Sequence, residues 1–278
     1  MRLAYFFPIH RLARQFAWIF SAVYDPEDVF VIHVDRDSPD SFHLEIEALV
    51  AGKPNVYLLD SIPVAWGGWS ICEVEFRAIR LLAELDHDWQ YLINLSGQDY
   101  PARPVADLRH FLAERQSQNF IEVQLLDHVP FHFRRRLFFY SVEWFGQLVR
   151  LPVPNWPIRP LKIAWTGSQW HFLSRQFCQW LAASDMMERC ARSLKHVKIP
   201  DEFFMQAIAM NSPFRDRLNT DLWRYFRFDR TSPVVLRAAD YDAVVNSPAF
   251  FARKFDESVD REILVRLAER IGAPVPAT

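Results

Sequence analysis

Four short clusters in the chain carry side chains that could do chemistry. Asp35-Arg36-Asp37 closes an apolar run at 30–34. An acid, any residue, then an acid just past a buried strand can hold a divalent ion or accept hydrogen bonds from a ribose or a base; a capping turn is the plain alternative. Ala65-Trp66-Gly67-Gly68-Trp69-Ser70 opens a helical pattern, so free backbone N–H groups there could receive a phosphate or a hydroxyl, without the spacing of a Walker loop. Asn94-Leu95-Ser96-Gly97-Gln98-Asp99-Tyr100-Pro101 is a burst of hydrogen-bonding side chains too dense for a routine turn. Such a cluster either knots a loop or binds a polar ligand. Lys198-Ile199-Pro200-Asp201-Glu202-Phe203-Phe204 sets two acids at a helix start, where they either complement the helix dipole or supply a general base.

The elements that must position these clusters follow from periodicity. Apolar runs at 3–7, 29–34, 55–59 and 91–95 read as buried strands, and the 3.6-residue pattern predicts helices over 11–23, 41–50 and 70–85. Strands separated by helices form parallel sheets, with sites at the carboxyl ends of the strands, so Asp35 stands at such an end. Ser70 and Glu73 predict a capping box for the third helix. Only seven glycines occur. Four of them, Gly67, Gly68, Gly97 and Gly167, fall in three clusters beside Trp, Ser, Gln or Asp, where tight turns or close backbone approach are expected. A stretch rich in Arg, aromatics and Pro, about 128–165, reads as an irregular insertion. It carries a helix near 137–148, then an extended segment held by Pro152, Pro154, Pro157 and Pro160. Arg134, Arg135 and Arg136 could face an anionic acceptor or form a solvated face. The tail from Gly272 reads as loose. The expectation is an α/β chain forming one domain over 1–278.

Composition narrows the function classes. Half the residues are apolar, with 24 Phe and 10 Trp, which is ample core; the rings would also suit stacking on sugar CH faces. A net charge of −2 gives no field that would attract nucleic acid. Cys72, Cys178 and Cys190 are odd in number and widely spaced, which indicates neither a disulfide framework nor a zinc site and fits a reducing compartment. The opening MRLAYFFPIH reads as a first strand rather than a leader, and no long apolar span occurs, so the expectation is a cytoplasmic chain, at most peripheral to a membrane.

Taken in order, HVDRDS, AWGGWS, YLINLSGQDYP, TGSQWHFLSR, PDEFF and FFARKFD resemble the blocks of the core-2/I-branching N-acetylglucosaminyltransferase and peptide O-xylosyltransferase family, glycosyltransferase family 14. The resemblance runs from about Leu3 to Glu269. It implies a glycosyltransferase-A-like fold, with a mixed, mostly parallel sheet flanked by helices. It also implies an inverting, metal-independent transfer from a UDP-sugar to a hydroxyl of a glycan, polysaccharide or lipid-linked acceptor, with N-acetylglucosamine or xylose as the first candidates for the sugar. No cofactor is implied beyond the UDP-sugar donor substrate. By motif, Glu202 would be the base, and Arg253 with Lys254 would hold the diphosphate together with Arg230 or Arg237. Asp35 would contact the nucleoside, and Trp66, Gly67 and Gly68 would shape the donor pocket. Ser96, Gln98, Asp99, Ser168, Gln169 and Trp170 would face the acceptor or the sugar.

Physical chemistry supports those roles beside the resemblance. Inverting transfer needs one carboxylate within reach of the attacking hydroxyl, and two cations can supply much of what a metal does for a departing diphosphate. Phe251 and Phe255 flank Lys254 and could hold its stem. One position departs from the family's xylosyltransferase branch: Gln169 stands in the GS-acid-W block, and a carboxamide cannot act as a base. Two rivals are a glycoside hydrolase using paired carboxylates and a glycan-binding module without turnover. Adjacent Asp201 and Glu202 suit the first poorly.

Overall fold

The computed structural model of the protein describes residues 1–155, 160–229 and 232–276. Uninterrupted apolar runs make its central strands, because a strand covered on both faces needs no polar alternation. β1 (Leu3–Ile9), β2 (Val29–Val34) and β4 (Tyr91–Asn94) are buried along nearly their whole length, while the short β3 (Val56–Leu58) closes one edge. Together with β5 (Asn119–Ile121), β6 (His171–Ser174) and β7 (Leu218–Asn219) they form one seven-stranded sheet in the order β7-β5-β6-β4-β1-β2-β3. Only β6 runs against its neighbours. This is the mixed, mostly parallel α/β sheet expected above.

The connecting helices are α1 (Ala13–Val23), α2 (Asp40–Val50) and α3 (Ser70–Glu84). In α1 the residues Phe16, Ile19, Phe20 and Val23 are spaced so that all point to the sheet, and all four are buried. Phe20 meets Phe30 edge-on at 5.5 Å while Tyr5 stacks on Phe30 at 5.1 Å. The predicted capping box of α3 is absent: Ser70 lies inside the helix and its hydroxyl accepts from the Ala65 amide at 2.9 Å, while Glu73 pairs with Arg77. Among the described residues no helix is long and apolar enough to cross a membrane.

Two additions to the sheet position the site. Asp99–Pro101, Phe251–Arg253 and Arg224–Tyr225 form a small three-stranded sheet in which Asp99 lies opposite Arg253. The other is a correction. In place of the helix expected at 137–148, the insertion holds a short helix, Phe131–Arg135, and then an antiparallel hairpin of Phe139–Trp144 and Gln147–Pro154. Phe145 and Gly146 both adopt positive φ, 46° and 72°, the two-residue turn that matches the twist of a hairpin. Aromatic and β-branched residues on either side favour strand over helix. Pro152 and Pro154 fall in the second hairpin strand, at an edge where a missing N–H costs no ladder bond; Pro157 lies outside the described residues. Gly272 ends the last helix, Arg261–Ile271, in the left-handed conformation.

Candidate active site

The carboxyl ends of β1, β2 and β4 face two groups of charge, one cationic and one acidic. The cationic group is built on the small sheet. Asp99 is fully buried. Its Oδ2 accepts from the Ser96 amide at 2.5 Å and the Ser96 hydroxyl at 2.6 Å, and its Oδ1 accepts from Arg224 at 2.6 Å. Arg253 comes within 3.9 Å of the same Oδ1. The Arg224 and Arg253 guanidinium carbons lie 4.5 and 4.2 Å from the centre of the Trp170 ring, a distance at which a cation gains from the ring's π face.

Two guanidiniums, Arg224 buried and Arg253 with 15% of its side chain exposed, therefore share one carboxylate, and the Nε atoms of both find no hydrogen-bond partner. Burial lowers the proton affinity of each, offset by the charge of Asp99. Excess positive charge away from water calls for an anion. Lys254 extends the group toward solvent. Its pKa is lowered by burial and then by the charges of Arg11 and Arg253. Phe255 is fully buried and its amide is held by the Gln98 carbonyl at 2.9 Å, which fixes the backbone on which Lys254 sits.

Arg11 and Arg224 escaped the sequence reading. Arg11 follows β1 directly and reaches the Gln98 carboxamide oxygen at 3.4 Å, while the Gln98 side-chain amide donates to the Phe255 carbonyl at 3.0 Å. A basic residue at the end of the first parallel strand was the available signal for Arg11. Arg224 had none, because its partner lies 125 residues away. Of the two arginines left open as diphosphate ligands, Arg237 is exposed, beside Leu236, whose amide bonds to the Lys254 carbonyl at 2.8 Å. Arg230 lies outside the described residues.

Asp35 is half-buried, with Oδ1 accepting from the amides of Asp37 at 3.0 Å and Val64 at 3.2 Å. The acid triplet thus begins as a turn that ties β2 to the segment leading into Trp66. Burial and then the charge of Arg11 lower the pKa of His10, while Asp35 opposes them, which puts His10, Arg11 and Asp35 around one mouth. Among the described residues no group of three or more His, Cys, Asp or Glu is gathered as a metal site would require.

The expectation of a free helix start at Trp66-Gly67-Gly68 is corrected. Glu143 of the hairpin occupies it, its carboxylate accepting from the Ser70 amide at 2.7 Å, the place where an anion is favoured. Gly67, at φ 73°, accepts from the Ile199 amide at 2.7 Å, so this loop is strapped to the segment carrying Asp201 and Glu202. Trp66 remains 76% exposed, a ring open to a ligand or to water.

The acidic group comes from the 3-10 turn Pro200–Glu202. Glu202 is ion-paired with Arg136 and one third exposed; its carbonyl is clamped by the Gly167 amide at 3.0 Å and the Thr166 hydroxyl at 2.8 Å. Of the arginine triplet, Arg134 pairs with Asp127 and Arg135 lies over Phe139, so only Arg136 reaches this place. Asp201 points elsewhere, into a buried crevice with Gln169, Trp170 and Asn94. Burial, and then the charge of Glu202, raise its pKa to about 7. The two acids thus do not face each other as a hydrolase pair would. Ser168 and Gln169 are positioned by their backbones, the Ser168 amide donating to Glu122 at 2.8 Å and the Gln169 carbonyl accepting from Asn94 at 2.7 Å.

Comparison with known proteins adds a family to this geometry. The family model described as Core-2/I-Branching enzyme matches residues 3–243. Human (Homo sapiens) xylosyltransferase 2 is 28% identical over 287 residues, covering 95% of this chain and 33% of the relative. Rat (Rattus norvegicus) xylosyltransferase 1 is 27% identical over 300 residues, covering 100% of this chain and 36% of the relative. The chain therefore spans about a third of the length of these curated relatives. Among solved structures, apo mouse xyloside xylosyltransferase 1 superposes with a TM-score of 0.45 at 10% identity, covering 99% of this chain and 100% of that one.

Proposed function

The chain belongs to the Core-2/I-Branching enzyme family, and from that premise we propose that it is an inverting glycosyltransferase. It moves a sugar from a UDP-sugar to a hydroxyl of a glycan, polysaccharide or lipid-linked acceptor. The observation that carries this reading is the excess of positive charge, largely withdrawn from water, around Trp170, where Arg224 and Arg253 share the single carboxylate of Asp99. A nucleoside diphosphate supplies the missing negative charge. Arg253, Lys254 and Arg11 then stabilise the charge that grows on the leaving diphosphate, the work a divalent metal does in other enzymes.

Glu202 accepts the proton of the acceptor hydroxyl as the oxygen attacks the anomeric carbon and the bond to the diphosphate breaks, giving the inverted glycoside and UDP. Asp35 at the mouth receives the nucleoside, and Trp66, with three quarters of its surface in water, offers a stacking face. N-acetylglucosamine and xylose are the first donor sugars to try, because the name of each aligned relative cited above points to xylosyl transfer and the family's name to branching.

UDP release from a panel of UDP-sugars, with and without EDTA, tests the proposal. Turnover of at least one donor, unchanged by EDTA and reduced at least a hundredfold in Glu202→Gln, is the expected result. EDTA-sensitive turnover would overturn the metal-free step, undiminished turnover in Glu202→Gln would remove the base, and binding without turnover would leave a glycan-binding module.

A further inference from the structure

A crevice of about 20 Å³ lies beneath Trp170, lined by Asn94 at the end of β4, Pro8 in β1, Glu75 in α3, Gln169 and Asp201. Its volume admits about one water-sized group. Glu75 is already engaged, its carboxylate 2.5 Å from the His171 Nε2. Asp201 keeps one oxygen unpartnered: the residue is 8% exposed and its Oδ1 finds no hydrogen-bond partner. A buried carboxyl oxygen without a partner costs free energy unless something fills the place.

We propose that Asp201 reads one hydroxyl of the transferred sugar, its carboxyl forming with Asn94 and Gln169 a subsite that takes a single oxygen. The inference rests on the UDP-sugar reading above and deepens it. Trp170 forms one wall of the crevice while its ring carries Arg253, so a sugar joined to a diphosphate at Arg253 starts beside the opening. A sugar ring or an N-acetyl group exceeds the space, whereas a hydroxyl fits and displaces one water. Near neutrality the raised pKa leaves much of the Asp201 carboxyl protonated, able to donate as well as accept, as reading a hydroxyl requires. Glu202, adjacent in the chain but turned toward Arg136, is left for the proton.

Calorimetry with UDP, UDP-xylose and UDP-N-acetylglucosamine on the wild type, Asp201→Asn and Asp201→Ala tests the subsite. UDP lacks the sugar, so its Kd should stay within about twofold in both variants. The Kd of whichever sugar nucleotide the wild type binds should rise roughly three- to tenfold in Asp201→Ala, and Asp201→Asn, which keeps a donor and an acceptor, should restore most of it. Equal weakening of UDP and of the UDP-sugar, or no weakening of either, would overturn the subsite. A wild type that binds none of the three would remove the UDP-sugar reading itself, and the subsite with it.

Discussion

Arg136 and Glu202 are joined in an ion pair across the candidate active site, with 17% and 32% of their side chains exposed. The pair ties the C-terminal end of the helix Phe131–Arg135 to the 3-10 turn that carries Glu202, the proposed base. Partly exposed pairs contribute little to stability, about 0–1 kcal/mol, so the contact acts mainly by fixing where the carboxylate points. Arg136→Ala should lower kcat roughly ten- to hundredfold, the scale of a misplaced catalytic group, while UDP affinity and the melting temperature barely change. Arg136→Lys should recover part of the rate. A parallel loss of UDP affinity would show that the pair supports the fold instead.

The cations at the strand ends should be felt in the diphosphate. A charge-assisted hydrogen bond contributes about 1.5–3 kcal/mol, so Arg11→Ala, Arg253→Ala and Lys254→Ala should each weaken UDP binding roughly ten- to a hundredfold. Binding of uridine, which has no phosphate, should stay the same. Because Lys254 lies within reach of the charge of Arg11, the double variant should fall short of the product of the single effects. Calorimetry of the four variants at two salt concentrations measures both points, and an additive pair would place the two cations on different groups.

Asp201 makes stability depend on pH. Its folded pKa of about 7 stands above the ordinary aspartate value of 3.8, so between these values the folded chain holds a proton that the unfolded chain has released. The stabilisation is full below about 4 and is lost as pH rises toward 7, a change of a few kcal/mol at about 1.36 kcal/mol per unit. Asp201→Asn is neutral throughout. The difference in unfolding free energy between this variant and the wild type, measured in urea, should therefore grow in the variant's favour from pH 4 to pH 7 and level off above. A difference that does not change with pH would mean that Asp201 is ionised in the fold.

The parts of this protein that were legible in its sequence are those set by local pattern. The continuous apolar run of β2 predicted its bounds at 29–34, and the proline before Asp201 and Glu202 marked their turn. Contacts between distant residues were not legible. Glu143 fills the start of α3 from 73 residues away, and Arg224 meets Asp99 from 125, distances over which no periodicity speaks. The sequence predicts a helix where the hairpin lies because the apolar residues there also suit helical spacing. The Phe145-Gly146 turn that decides the matter needs two positive φ angles, and phenylalanine rarely adopts one.

Two glycines near the site should respond differently to a methyl group. A Cβ on Gly68 would lie 2.4 Å from the Glu143 Oε1 and 2.6 Å from its Cδ. That clash is with the end of an exposed, flexible side chain, which can swing away and lose only its bond to the Ser70 amide. Gly68→Ala should therefore cost about 1 kcal/mol, and almost nothing further in a chain already carrying Glu143→Ala. On Gly167 the Cβ would lie 2.0 Å from the Glu122 carbonyl oxygen. That atom is backbone, and Glu122 also holds the Ser168 amide through its side chain at 2.8 Å, so neither partner can yield without moving Gln169 and Trp170. Gly167→Ala should cost roughly 3 kcal/mol or more and weaken UDP binding, because Trp170 carries Arg253. Urea unfolding of the three single variants and the Gly68→Ala/Glu143→Ala pair ranks them, and a Gly167→Ala chain as stable as Gly68→Ala would refute the close approach at Glu122.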